Sequence, residues 1–125
     1  MIVRDWSKYK NFTKEEFDCK HTGKNVMQEE FIYKLQQLRT AYNKPLIITS
    51  GYRDITHPLE AKKSKGGYHT KGLACDVSCG SQQAHTIGRL ALNLGFTGIG
   101  FKQKGEGRFI HLDLRPYEER LIYSY

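Results

Sequence analysis

The sequence predicts an α+β protein: a small, mainly antiparallel sheet flanked by two main helices. Two spans with helical periodicity, four short strand-like runs and a glycine-bearing turn between the last two runs carry that prediction. Strands that close in a hairpin favour an antiparallel sheet, whereas strict alternation of strand and helix would favour a doubly wound parallel one.

Each element has its own signal. In "NFTKEEF", residues 11–17, a threonine is followed three residues later by a glutamate, the capping-box pattern of a short helical turn. "MQEEFIYKLQQLRTAYNK" sets Phe31, Leu35, Leu38 and Tyr42 at steps of four, three and four, so one face of a helix is apolar. Asn43, Lys44 and Pro45 then stop it. "PLIITSGY" is short, β-branched and closed by Gly51, as expected of a buried strand. Residues 52–68, rich in Lys and Gly and containing Pro58, read as a loop with one helical turn around "PLEAKK". "GLACDVS" is a second strand. "SQQAHTIGRLALNLGF" opens on Ser81, a candidate N-cap, and carries Ala84, Ile87, Leu90, Ala91 and Leu94 on one face of a second helix. "TGIGFK" and "RFIHLDLR" are two further strands joined by "QKGEG".

At 125 residues the chain has room for a single domain, 1–125, without a second functional module. With 38% hydrophobic and 26% charged residues it has the composition of a globular chain, and no run approaches the ~18 apolar residues of a membrane span. "MIVRDWSKYKNF" lacks the apolar stretch of a secretory signal, so synthesis in the cytoplasm is expected. The three cysteines, at 19, 75 and 79, fit neither a disulfide framework nor a zinc-finger spacing and read as reduced structural thiols. The net charge of +7 attracts anionic partners, whether nucleic acid, acidic lipid or the polyanionic bacterial wall. No zinc-finger spacing or aromatic RNA-binding signature accompanies it.

Chemistry concentrates in two places. "HTKGLACD" contains His69 and Asp76, and "FIHLD" contains His111 and Asp113. Two imidazoles and a carboxylate from separate strand ends can supply the three protein ligands of a catalytic zinc site, which keeps a fourth position for water. Spacing alone does not separate that reading from histidines of the surface or the core. Gly72 and Ala74 permit close backbone packing where a loop enters a sheet. His111 and Asp113 share a strand face, their α-carbons about 7 Å apart, with Phe109 on that face and Ile110, Leu112 and Leu114 on the opposite one.

"SGYR", "YHTKGLACD", "GFTGIG" and "FIHLD", in that order, resemble the D-alanyl-D-alanine carboxypeptidase family of zinc peptidases, which includes phage endolysins and shares its fold with the hedgehog signalling domain. The likeness runs from "NFTKEEFDCKHTG" to "HLDLR" and is nearest to the small single-domain branch. It implies a hedgehog/DD-peptidase-like fold with Zn2+ held by His69, Asp76 and His111. It also implies that Arg53 binds a substrate carboxylate or carbonyl oxygen, for which a guanidinium is suited; the alternative is a salt bridge with Asp54 or another acid. Several enzymes of the family carry a catalytic carboxylate three residues before the last histidine ligand, and here that position is Arg108. Asp113 is therefore the first candidate for general base and Glu106, in the turn, the second. Asp113 has the alternative role of orienting a ligand histidine.

Ser50 and Tyr68 are further candidates for contact with substrate, and His57 for contact or for orienting the site. His85 is expected to face solvent. His21 and Cys19 lack visible partners for a second metal site, and Cys75 points away from Asp76 into the core. The resemblance implies a zinc metallopeptidase, a D-Ala-D-Ala carboxypeptidase or peptidoglycan endopeptidase, cutting a stem peptide at or near a D-amino acid; a monomer is expected. The expected setting is a phage endolysin or virion lysin, made in a bacterial host and acting at the wall, with no specific nucleic acid and no membrane insertion. A non-catalytic zinc-containing binding or virion structural protein is the second reading, and a nucleic-acid binder, on charge alone, the third.

Overall fold

The computed structural model describes residues 1–63 and 66–125. Its helices are α1 (Glu29–Tyr42), the short α2 (Pro58–Ala61) and α3 (Ser81–Asn93), and its strands are β1 (Ile47–Ser50), β2 (Ala74–Ser78), β3 (Gly98–Lys102), β4 (Phe109–Asp113) and β5 (Leu121–Ser124). The five strands form one sheet in the order β1-β2-β4-β3-β5. All neighbours are antiparallel except β3 and β5, which run parallel. This is the α+β architecture with a mainly antiparallel sheet and two main helices that the sequence predicts.

One face of the sheet is core. Cys75 and Val77 of β2, Ile99 of β3 and Ile110 and Leu112 of β4 lie in the same buried cluster as Phe31, Ile32, Leu35 and Leu38 of α1 and Ala84, Ile87 and Ala91 of α3. The strand alternation therefore sends Asp76, His111 and Asp113 to the other face. α1 ends with Asn43 in the left-handed region at φ 57, its N–H bonded to the Arg39 carbonyl, a C-cap conformation that asparagine tolerates better than most residues. Before α1, Thr13 and Glu16 form the reciprocal capping box around the 3-10 turn Lys14–Phe17.

Three features differ from the sequence expectation. β1 is an edge strand and not a buried one: Ile47 is 63% exposed, because only β2 covers that edge and the apolar anchoring falls to Leu46 and Ile48. Ser81 is the first residue of α3 and not its cap; Gly80 holds the cap position, Ser81 has φ 51, and its hydroxyl accepts a bond from Arg108 Nη1. β5 is an additional strand, inconspicuous because "LIYS" leaves Leu121 and Ile122 about half exposed and shows no alternation. The loop expected over 52–68 contains α2 as its helical turn, with residues 64 and 65 outside the described residues. All three cysteines are buried and free. No helix among the described residues is long and apolar enough to cross a membrane.

Leu35→Ala should lower unfolding free energy by ~3 kcal/mol, the cost of a cavity in a packed core, in urea titrations. Tyr33→Ala, at a side chain 60% exposed, should change it by less than about 0.5 kcal/mol. Equal losses at the two positions would place the core elsewhere.

Candidate metal centre

Three elements deliver three donors to one point. The 3-10 turn Tyr68–Lys71 carries His69 and ends at Gly72, whose φ of 71 suits glycine and whose Cα lies so close to the Val26 carbonyl that an added Cβ would fall 2.1 Å from it. β2 carries Asp76 and β4 carries His111, directly opposite each other in the strand register. Asp76 Oδ1 lies 3.4 Å from His69 Nε2 and 3.2 Å from His111 Nδ1. All three side chains are buried, and one ligand atom of each lies within 4.8 Å of the others, a grouping that could hold a metal ion. Among the described residues no other group of three or more His, Cys, Asp or Glu side chains does so.

The outward-facing atoms of these side chains are all engaged. His69 Nδ1 is 2.8 Å from the Gly51 carbonyl oxygen, which can only accept, so the ring proton sits on Nδ1 and the Nε2 lone pair faces Asp76. His111 Nε2 is 2.7 Å from Asp113 Oδ2, which assigns the proton to Nε2 and the lone pair to Nδ1. Asp76 Oδ2 accepts from Arg53 Nη2 at 3.3 Å, leaving Oδ1 for the cluster. Two imidazole lone pairs and one carboxylate oxygen, each fixed by a partner behind it, match the donor set and the outer support of a catalytic zinc site.

Around this centre runs an alternation of acid and base. Glu60, 2% exposed, accepts from Arg53 Nη1 at 3.2 Å, from the Gly67 N–H at 2.9 Å and from Lys63. Arg53 also donates from Nε to Ser50 Oγ at 3.1 Å. Asp113, wholly buried, takes Arg115 Nη2 at 2.7 Å and the Arg115 backbone N–H at 3.0 Å in addition to His111. Burial pushes the Asp113 pKa up, but the bonds from His111 and Arg115 outweigh it and hold the group at about 2. For Asp76 burial is likewise outweighed, by hydrogen bonds and charge from His111 and His69 when their rings are protonated, and the carboxyl sits well below its ordinary range. The two carboxylates in turn raise the His111 pKa against the effect of burial.

Gly98 makes room for this arrangement. It pairs with Asp113 across the sheet, and a Cβ there would lie 2.0 Å from Asp113 Oδ1. Strand alternation in "HLDLR" carried a signal for Arg115, two residues beyond Asp113 on the same face. Glu60, in a lysine-rich loop without periodicity, gave none.

The other candidates are spread around the centre. Tyr68 lies under the Arg115 guanidinium, 5.0 Å from ring centre to Cζ, and its hydroxyl donates to Glu119 at 2.7 Å. His57 Nδ1 accepts the Leu59 N–H at the start of α2, and its ring stands 6.0 Å from that of His21. Cys19 Sγ accepts the Asp54 N–H at 3.3 Å. His85 is exposed on α3, and Glu106 is exposed in the turn between β3 and β4. Arg108 reaches Ser81 and crowds Gly80, where a Cβ would lie 2.6 Å from its Cζ.

Comparison with known proteins adds kinship to this geometry. The family model described as Peptidase M15 matches residues 9–113. The chain is 33% identical over 90 residues to the peptidoglycan L,D-endopeptidase MepK of Escherichia coli K12, covering 68% of this chain and 48% of MepK, with the same figures for the Shigella flexneri protein. It is 33% identical over 69 residues to the zinc D-Ala-D-Ala carboxypeptidase of Streptomyces albus G, covering 54% of this chain and 27% of that protein. It thus spans about half the length of MepK and about a quarter of the carboxypeptidase. Matched over most of its length, with the His69–Asp76–His111 grouping inside the matched span, the chain belongs to the peptidase M15 family.

Proposed function

We propose that the protein is a zinc-dependent peptidase that hydrolyses an amide bond of a peptidoglycan stem peptide, at or near a D-amino acid. The observation that carries the reading is the convergence of His69 Nε2, Asp76 Oδ1 and His111 Nδ1 with every outward atom already bonded. Membership of the family, and relatives named for peptidoglycan and for D-Ala-D-Ala, supply the substrate class. A net charge of +7 speeds encounter with a polyanionic wall. Lysis of a bacterial wall, in the manner of a phage endolysin or virion lysin, is the setting we propose.

The chemistry a bound zinc supplies is Lewis acidity toward the scissile carbonyl and a source of nucleophilic water near neutral pH. Arg53 gives one N–H from each of Nε, Nη1 and Nη2 to Ser50, Glu60 and Asp76, so one hydrogen on each Nη stays available to a substrate oxygen. Ser50 and Glu60 thereby set the angle at which the guanidinium meets substrate, and Tyr68 lines the approach beside His69. Asp113 acts as a positioning residue: closed to solvent and shared by His111 and Arg115, it holds the imidazole in one tautomer. Glu106, exposed in the turn between β3 and β4, is the carboxylate we assign to take the proton from water and return it to the leaving amine.

A second reading, a zinc-containing binding or virion structural protein, is favoured by Arg108, which stands where several relatives have a carboxylate and binds Ser81. Metal content and release of new amino groups from purified peptidoglycan decide between them. One zinc per chain with cleavage lost on chelation and restored by zinc is the expected result; zinc without cleavage across several wall types would favour the second reading. Asp113→Asn should weaken zinc binding about 10- to 100-fold in competition with a chromophoric chelator, and unchanged affinity would remove its positioning role. Glu106→Gln should lower turnover about 100-fold at unchanged zinc content, whereas full turnover would exclude it as proton acceptor.

A further inference from the structure

The strand β5 lies beyond the span matched by the family, which ends at residue 113. Its parallel pairing with β3 sets Tyr123 opposite Gly100, which itself pairs with His111, which pairs with Asp76. Tyr123 is thus in the same cross-strand row as two of the three metal-site donors. Its ring lies over Gly100, where a Cβ would come 2.5 Å from Tyr123 Cζ, and stands 6.0 Å from the His111 ring. Tyr125, two residues on, places its ring 5.5 Å from Tyr123 and 5.1 Å from Phe109, the residue of β4 on the same face as His111.

Three rings, Phe109, Tyr125 and Tyr123, therefore run as a wall beside His111. Tyr125 is 63% exposed, so the wall is open to a ligand. The two tyrosine hydroxyls lie 3.4 Å apart, and among the described residues each has only the other as a protein partner. The neighbouring cations are neutralised, Arg53 by Asp76 and Glu60 and Arg115 by Asp113. Arg115 Cζ stands over the Tyr123 ring, 5.9 Å from its centre, so the wall presents the exposed Tyr125 ring and the two neutral hydroxyls, chemistry that packs a small apolar side chain and bonds the amide groups of an extended peptide.

We propose that Tyr123 and Tyr125 are substrate-binding residues, a phenolic wall with paired hydroxyls that aligns the peptide alongside His111. The proposal rests on the peptidase reading for the ligand being a peptide. It makes β5 part of the binding site of this chain and gives Gly100 a function, since any side chain there would displace Tyr123.

The test is calorimetric binding of a stem pentapeptide, made resistant to hydrolysis by methyleneamine links at its D-residues, to the zinc-loaded protein. Tyr123→Ala and Tyr125→Ala should each weaken binding roughly tenfold, with one zinc per chain retained, and Tyr123→Phe should fall between wild type and Tyr123→Ala. On cleavable wall fragments the loss should appear in KM, with kcat changed less than about twofold. Because Tyr125 is mostly exposed, its variant reads the wall even if Tyr123→Ala fails to fold. Equal affinities in wild type and alanine variants, or no binding by wild type, would overturn the proposal. Tyrosine-dependent binding without any cleavage would instead overturn the peptidase reading and leave the wall standing.

Discussion

The register between β2 and β4 governs the whole site face. Ser50, Asp76, His111, Gly100 and Tyr123 form one row across all five strands, each paired with the next. A slip of one residue between β2 and β4 would turn Asp76 or His111 into the core and bring an apolar neighbour to the site. The register is held from the opposite face, where Cys75, Val77, Ile110 and Leu112 are buried beneath α1 and α3. The apolar half of each strand thus places the polar half.

A second constraint is charge. A face carrying several buried ionisable groups is stable only if each has a partner. The groups here alternate: Lys63 and Arg53 around Glu60, Arg53 on Asp76, His111 between Asp76 and Asp113, and Arg115 on Asp113. Among the described residues no buried side-chain nitrogen or oxygen lacks a hydrogen-bond partner. Partners of this kind fix which atom of each side chain faces inward, and that selection makes three ordinary residue types a group that could hold a metal ion.

Much of this was legible in the sequence because it depends on short-range periodicity. The period of two in "FIHLDLR" separates the faces of β4, and the helical spacing of Phe31, Leu35 and Leu38 marks the inner side of α1. The less legible parts depend on neighbours distant in the chain. β1 reads as buried until its edge position is known, and β5 carries no alternation because it pairs with β3 alone and leaves Leu121 and Ile122 exposed. Glu60 resembles any acid in a lysine-rich loop until Arg53, seven residues earlier, reaches it. Asp113 was visible as a neighbour of His111, but its bond to Arg115 and its complete burial appear only in the folded sheet.

Asp76 and His111 sit across a strand pair while His69 arrives from a separate turn, so the three donors meet only on the folded chain. An ion they share has no equivalent site on the unfolded one, and occupancy and folding become linked by mass action. With free metal at a thousandfold its dissociation constant, the folded state gains ~4 kcal/mol, comparable to much of a small domain's entire stability. The persistence of such a chain in the presence of proteases would then follow the metal supply of its surroundings.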